Sequence, residues 1–303
     1  MPPVADTRGR LVSGPPAGVF APGLLEGRVA LITGGGSGIG YGIASRLSSL
    51  GAAVAIFSRS EERVSAAAER LEREGAVRAL ALTGDVRDPE AVRAGVARTR
   101  DELGRLDILV NNAAGNFYAP TADLSPNGWR AVVEIDLFGT FHACQAVFPA
   151  MSRQGYGRIV SISMTLHYRG WPLMAHATAA KAGVDALTRT LALEWARHGI
   201  TVNAVAPGPV PTEGVREAFR PPAEGAADVF GQRARMSFAD RHIPAGRLGT
   251  PDDIGNMVAY LVSPAGDWIT GAIMVVDGGE SLASPRAIPA VEARESADEP
   301  GSG

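Results

Sequence analysis

The sequence predicts a doubly wound α/β fold: a single domain with a seven-stranded parallel sheet and helices on both faces. Three observations carry that expectation. Short apolar runs alternate with helical stretches along the chain; the runs are apolar at nearly every position, as strands covered on both faces must be; and the first strand-to-helix turn is crowded with glycine.

The strands are expected at Val29–Thr33, Ala53–Ser58, Val77–Thr83, Ile108–Asn111, Ile159–Ser163, Thr201–Ala206 and Ala272–Val276. Helices are expected between them at Ile39–Leu50, Glu61–Arg73, Pro89–Leu103, Asn127–Met151, His176–Arg197 and Pro251–Val262. Asp88 before Pro89 and Thr250 before Pro251 read as N-caps, followed by prolines that need no intrahelical partner. Right-handed crossovers then place helices on both faces. Residues 1–26 and 283–303 are rich in Pro, Gly, Ala and Ser without periodicity, and read as tails around a body at 27–282. One long irregular stretch, about 207–248, follows the sixth strand, where open sheets bind ligands, and reads as a substrate loop.

Composition excludes several classes. Net charge is −3, with −2 of it in the last 21 residues, so a nearly neutral body offers no nucleic-acid footprint. No apolar run approaches the roughly 18 residues of a membrane span. Arg8 and Arg10 are followed by Gly and Pro rather than an apolar stretch, so no secretory signal is visible and a cytoplasmic protein is expected. The single cysteine, Cys144, can form no internal disulfide and reads as a small core residue; no Cys/His cluster offers a metal site. Of 29 basic residues, 28 are Arg and one is Lys181. A lone lysine in so arginine-rich a chain points to a position where a compact, tunable charge is needed and a planar one will not serve.

The turn Thr33-Gly34-Gly35-Gly36-Ser37-Gly38-Ile39-Gly40 follows a strand and opens a helix. That context marks a dinucleotide site: glycines let the backbone approach a pyrophosphate, and the helix N-terminus offers oriented N–H groups. The second strand ends in Ser58-Arg59 with no acid to accept from a ribose 2′-hydroxyl, and Arg59 suits a 2′-phosphate, so NADPH is the expected cofactor. Asp85 and Val86, after the third strand, are expected at the adenine edge.

From residue 26 to 282 the chain resembles the short-chain dehydrogenase/reductase family. The resemblance rests on Thr33-Gly34 through Gly38 and Gly40, on Asn111-Asn112-Ala113-Ala114-Gly115, on Pro207-Gly208, and on Val276-Asp277-Gly278-Gly279. It implies a Rossmann fold, a homotetramer built on the two long helices and the C-terminal segment, and a cofactor bordered by Asn112–Gly115, Pro207, Gly208 and Val210. It also implies that Lys181, the lysine of the family's Tyr-x-x-x-Lys pair, holds the nicotinamide ribose. The tyrosine of that pair is Ala177, the family's serine position is Met164, and its helix asparagine is Asp136. These three departures resemble the 2,4-dienoyl-CoA reductases, in particular the peroxisomal kind with an aspartate at this place, although Gly301-Ser302-Gly303 is not a peroxisomal signal. The resemblance extends through Asn116-Phe117, the Leu124-Ser125-Pro126-Asn127 helix start and Thr212-Glu213-Gly214.

The implied reaction tolerates the missing phenol. Hydride added to the δ carbon of a conjugated dienoyl thioester drives charge onto the thioester oxygen, which hydrogen bonds can stabilise, and the proton is delivered at carbon. Asp136 and Lys181, with a water between them, are the candidate catalytic pair. Burial raises the aspartate's pKa while the lysine's charge lowers it, and sequence leaves that balance open. Asn116, Phe117, His167 and Tyr168 are candidate substrate contacts, and His176 a lesser candidate for proton relay. Arg216, Arg220, Arg233 and Arg235 lie where a CoA phosphate could be met. Reduction of another enone or carbonyl in secondary metabolism, or a catalytically inactive NADP-binding scaffold, are the alternative readings.

Overall fold

A computed structural model describes residues 19–212 and 242–283. The first strand β1 (Val29–Thr33) is followed by α1 (Gly38–Ser49), β2 (Ala53–Ser58), α2 (Glu61–Arg73), β3 (Ala79–Thr83), α3 (Pro89–Leu103) and β4 (Ile108–Asn111). The second half runs through α4 (Pro126–Val133), a π-helical turn (Glu134–Phe138), α5 (Gly139–Gln154), β5 (Gly157–Ile162), α6 (Ala175–Trp195) and β6 (Ile200–Pro207). The helix α7 (Pro251–Val262) and the strand β7 (Ile273–Val276) close the described chain.

All seven strands are parallel, in the order β3-β2-β1-β4-β5-β6-β7. Their buried runs supply the inner layer of two cores. On one face Ile43 and Leu47 of α1, Val64 and Leu71 of α2, and Ile254 and Val258 of α7 pack on Ile32, Ile56 and Val110. On the other, Val92 and Val96 of α3, Ala143 and Val147 of α5, and Leu191 of α6 pack on Leu31, Leu109 and Ile159. The sheet is thus covered on both sides, which is why its strands lack polar alternation. Chain direction diverges between β1 and β4, so their C-terminal ends open into a crevice.

The caps fall where the residue types place them. Asp88 accepts from the Glu90 N–H at 2.9 Å, and Thr250 forms a reciprocal capping box with Asp253. Three expectations differ. β3 begins at Ala79 because Val77 is 72% exposed and lies outside the sheet. The expected helix over 127–151 is α4 and α5 joined by the π turn, a local widening that recurs at functional sites. Leu25, within the expected N-terminal tail, is buried in the core, and its N–H donates to the Leu50 carbonyl at 2.8 Å. The run Pro126–Gln154 has the length and composition of a membrane span, but Ala143 and Val147 bury into the sheet core and it carries the buried Asp136.

Candidate active site

A cleft of about 990 Å³ opens along the C-terminal ends of the strands. At one end it is built by glycine. Gly34 and Gly38 sit at φ +66° and +55°, where side chains are strained. A Cβ on Gly40 would stand 2.3 Å from the Gly34 carbonyl oxygen and 2.4 Å from Asn112 Nδ2. That close approach lets Asn112 brace the turn: its Nδ2 donates to the Thr33 and Gly34 carbonyls, both at 3.1 Å. Thr33 Oγ1 accepts from the Asn112 and Ala113 N–H groups, also at 3.1 Å. Thr33 itself is buried and outside the cleft wall, so it acts by holding the turn. Gly34, Gly36, Ser37, Gly38, Ile39 and Gly40 all face the cleft.

Ser58, Arg59, Asp85 and Val86 line the neighbouring stretch. Arg59 is exposed, with its guanidinium available to a ligand. Both oxygens of Asp85 are held by Arg87, as close as 2.6 Å, and those hydrogen bonds keep the carboxyl below the usual range. The Val86 carbonyl contacts His142 Nδ1 at 3.0 Å, fixing this edge to α5. Sequence reasoning missed Arg63, which also faces the cleft from the first turn of α2; its Cβ lies 3.5 Å from where a Cβ on Gly36 would stand.

At the other end, Asp136 stands in the π turn and Lys181 in α6, 1% and 4% exposed. Lys181 Nζ lies 3.6 Å from Asp136 Oδ2 and donates to the Ile162 carbonyl at 2.8 Å. Asp136 Oδ1 accepts from the Gly115 N–H at 2.8 Å, so Gly115 works behind the wall rather than on it. Burial outweighs the Lys181 charge and the Gly115 bond, and the Asp136 carboxyl is raised above its ordinary value. Ala177, in the phenol's expected place, is fully buried with Met174 and Val132. Phe117, Met164, Leu166 and Trp171 pack against that cluster. The site therefore offers a buried carboxyl and an ammonium, with apolar side chains where a phenol and a serine are missing.

Ala113, Ala114, Asn116, Pro207, Gly208 and Val210 line the cleft. Phe117 turns away to meet His176 edge-on at 4.5 Å, and His176 is fully buried, with burial holding it below the ordinary histidine range. His167 and Tyr168 are not among the lining residues. His167 Nε2 is 2.9 Å from the buried Asp185 carboxylate, which also accepts from Ser163 Oγ at 2.6 Å, and Tyr168 packs outside on the His167 ring. A buried carboxylate draws the histidine inward, which sequence spacing could not reveal. Arg216, Arg220, Arg233 and Arg235, and most of the 207–248 loop, lie outside the described residues. Cys144 is buried beneath Asn111, and burial pushes its thiol up to about 12. Among the described residues no group of three His, Cys, Asp or Glu side chains could hold a metal ion.

Comparison with known proteins gives matches that cover most of the chain. A family model described as enoyl-(acyl carrier protein) reductase matches residues 34–281. The peroxisomal 2,4-dienoyl-CoA reductase, (3E)-enoyl-CoA-producing, of Rattus norvegicus is 44% identical over 271 residues, 89% of this chain and 89% of its own. The protein of the same name from Danio rerio is 43% identical over 267 residues, 88% of this chain and 85% of its own. Among solved structures, a single-substitution variant of actinorhodin polyketide ketoreductase with NADPH superposes with a TM-score of 0.77 at 37% identity, covering 84% of this chain and 98% of that one.

Proposed function

The chain belongs to the short-chain dehydrogenase/reductase family, and we propose that within it the protein is an NADPH-dependent 2,4-dienoyl-CoA reductase of unsaturated fatty acid degradation. It is an oxidoreductase acting on CH–CH groups, with a nicotinamide cofactor. The single observation that carries the finer reading is the Asp136–Lys181 pair, 3.6 Å apart, with Ala177 where the family's phenol would stand.

The glycine turn fits a dinucleotide: Gly34 and Gly38 take positive φ on the cleft wall, and Gly40 lets the helix start close against Gly34 and Asn112, where a Cβ would collide. When bound, the nicotinamide supplies a hydride to the substrate's δ carbon. Lys181, anchored on the Ile162 carbonyl, turns its remaining protons to the ribose and to the oxyanion of the thioester. Gly115 occupies Asp136 Oδ1, which leaves Oδ2 to hold the proton. Its raised pKa keeps that proton on the carboxyl at higher pH than an ordinary aspartate would, ready for relay through a water to the α carbon. Delivery there leaves a 3,4 double bond, the (3E)-enoyl product named for the relatives. NADPH oxidation at about 340 nm, the reduced nicotinamide band, tests the reading: turnover with a dienoyl-CoA and none with simple ketones is the expected result. Ketone-only turnover overturns it, and turnover with neither favours an inactive scaffold.

Cofactor preference rests on Arg59, with Arg63 beside it. A charge-assisted bond to a 2′-phosphate contributes about 1.5–3 kcal/mol, so Arg59→Asp is expected to lower the NADPH preference by about 10-fold or more. Titration of both cofactors against the variant checks this; an unchanged preference removes Arg59 from the selectivity.

A homotetramer is part of the proposal. Phe138 and Phe141 on the α4–α5 face, and Trp268, Val275 and Leu282 near β7, are large apolar side chains 44–100% exposed in one chain. Deleting residues 1–18 and 286–303 is expected to preserve both assembly and activity in sedimentation and turnover assays. A stable, active monomer contradicts the tetramer.

A further inference from the structure

The substrate end of the cleft is spanned by an ion pair that no step of the reduction uses. One wall there is the segment between β5 and α6, which supplies Met164, Leu166, Trp171 and Met174. The facing wall is the short turn after β7, Glu280–Leu282, which supplies Glu280. Arg169 reaches across. Its Nη2 pairs with Glu280 Oε1, and its Nη1 donates to the Glu280 and Ala283 carbonyls, both at 3.2 Å. The same guanidinium lies 5.7 Å from the centroid of the Trp171 ring.

Glu280 is 3% exposed and its second oxygen, Oε2, is buried without a hydrogen-bond partner among the described residues. A carboxylate so desolvated depends on the counter-charge that Arg169 supplies. The turn that carries it is itself braced, since Asp277 accepts from the Gly279 and Ser281 N–H groups at 2.8 Å each. At the far end of the opposite wall, Leu173 sits at φ +68°, and its carbonyl accepts from the Ala119 N–H at 3.0 Å. A left-handed leucine costs roughly 1–2 kcal/mol and persists only where its surroundings impose it. Trp171 is therefore held between two ties, one on either side, and its side chain also hydrogen-bonds Tyr118.

Resting on the dienoyl thioester reading, we propose that Arg169 and Glu280 are a positioning pair that fixes Trp171 as the end wall of the acyl pocket and so sets the chain length accepted. Met164, Leu166, Trp171 and Met174 give this wall an apolar face that suits an acyl chain, and the Tyr118 hydroxyl is engaged by Trp171. A lone carboxylate there would repel that chain, and the pairing with Arg169 removes the conflict.

The test measures kcat and KM over dienoyl-CoAs of increasing length for the wild type, Arg169→Lys, and the double variant Arg169→Met/Glu280→Gln. The double variant leaves no unpaired buried charge. Its KM ratio between the longest and shortest substrates is expected to shift by about tenfold, within the range that pocket contacts give, while kcat on the shortest changes little. Arg169→Lys keeps the charge but cannot span the carboxylate and two carbonyls, and is expected to fall between. Hydrogen exchange of the amides of residues 165–174 should quicken in the double variant, a readout independent of turnover. Parallel length profiles, or unchanged exchange, overturn the strap. A wild type that reduces no dienoyl-CoA at all refutes the substrate reading instead, and the exchange rates then decide the strap alone.

Discussion

In Asp136→Asn, kcat for dienoyl-CoA reduction is expected to fall by about 10²-fold or more, the usual scale for loss of a general acid. The amide can still accept the Gly115 N–H, so the π turn keeps its geometry and NADPH affinity should change little. The Thr140 hydroxyl bond to the Asp136 carbonyl, at 2.7 Å, uses only the backbone of residue 136 and also survives. What the variant lacks is a carboxyl proton. A sharper signature lies in pH. Because burial raises the Asp136 pKa, its acid form persists above the usual carboxylate range, and wild-type kcat should decline as pH rises through that raised value. The declining limb should vanish from the residual activity of Asp136→Asn. Single-turnover reduction across pH, with cofactor binding measured in parallel, checks both points. Full activity in the variant would remove the aspartate from the reaction and shift attention to solvent.

Much of this arrangement was legible in the chain. Continuous apolar runs specify strands buried on both faces, and Asp88 and Thr250 mark helix starts through their own side-chain oxygens. The glycine turn and Lys181 could be found because each is a residue type that chemistry demands. The π turn at Asp136 could not, since one widened turn within an apolar helix leaves the hydrophobic period almost unchanged. The balance of the Asp136 pKa also required the fold, because it depends on how completely the carboxyl is desolvated. His167 reads like a pocket residue from its place after a strand, yet the buried Asp185 turns it away. Arg169 and Glu280 are separated by 111 positions, and nothing local marks either as the other's partner. Long-range charge pairing is decided by packing, which periodicity does not encode.

Lys181→Arg is expected to damage binding and turnover together, unlike the aspartate variant. The ammonium is a point charge facing three directions: it donates to the Ile162 carbonyl at 2.8 Å, stands 3.6 Å from the Asp136 carboxyl, and turns its other protons to the cleft. A guanidinium is larger and planar, and its donors lie in one plane. It cannot serve all three directions from a position whose side chain is 5% exposed. Forcing extra volume into so closed a site costs about 1–3 kcal/mol, which corresponds to roughly 5–150-fold in NADPH affinity. Turnover should fall as well, because the oxyanion donor is displaced along with the ribose contact. The charge itself is unchanged, so the effect separates geometry from electrostatics. Equilibrium binding of NADPH and single-turnover rates at saturating cofactor distinguish the two losses. Wild-type affinity in Lys181→Arg would show that the ribose is held elsewhere and that the chain's only lysine has no positional role at this site.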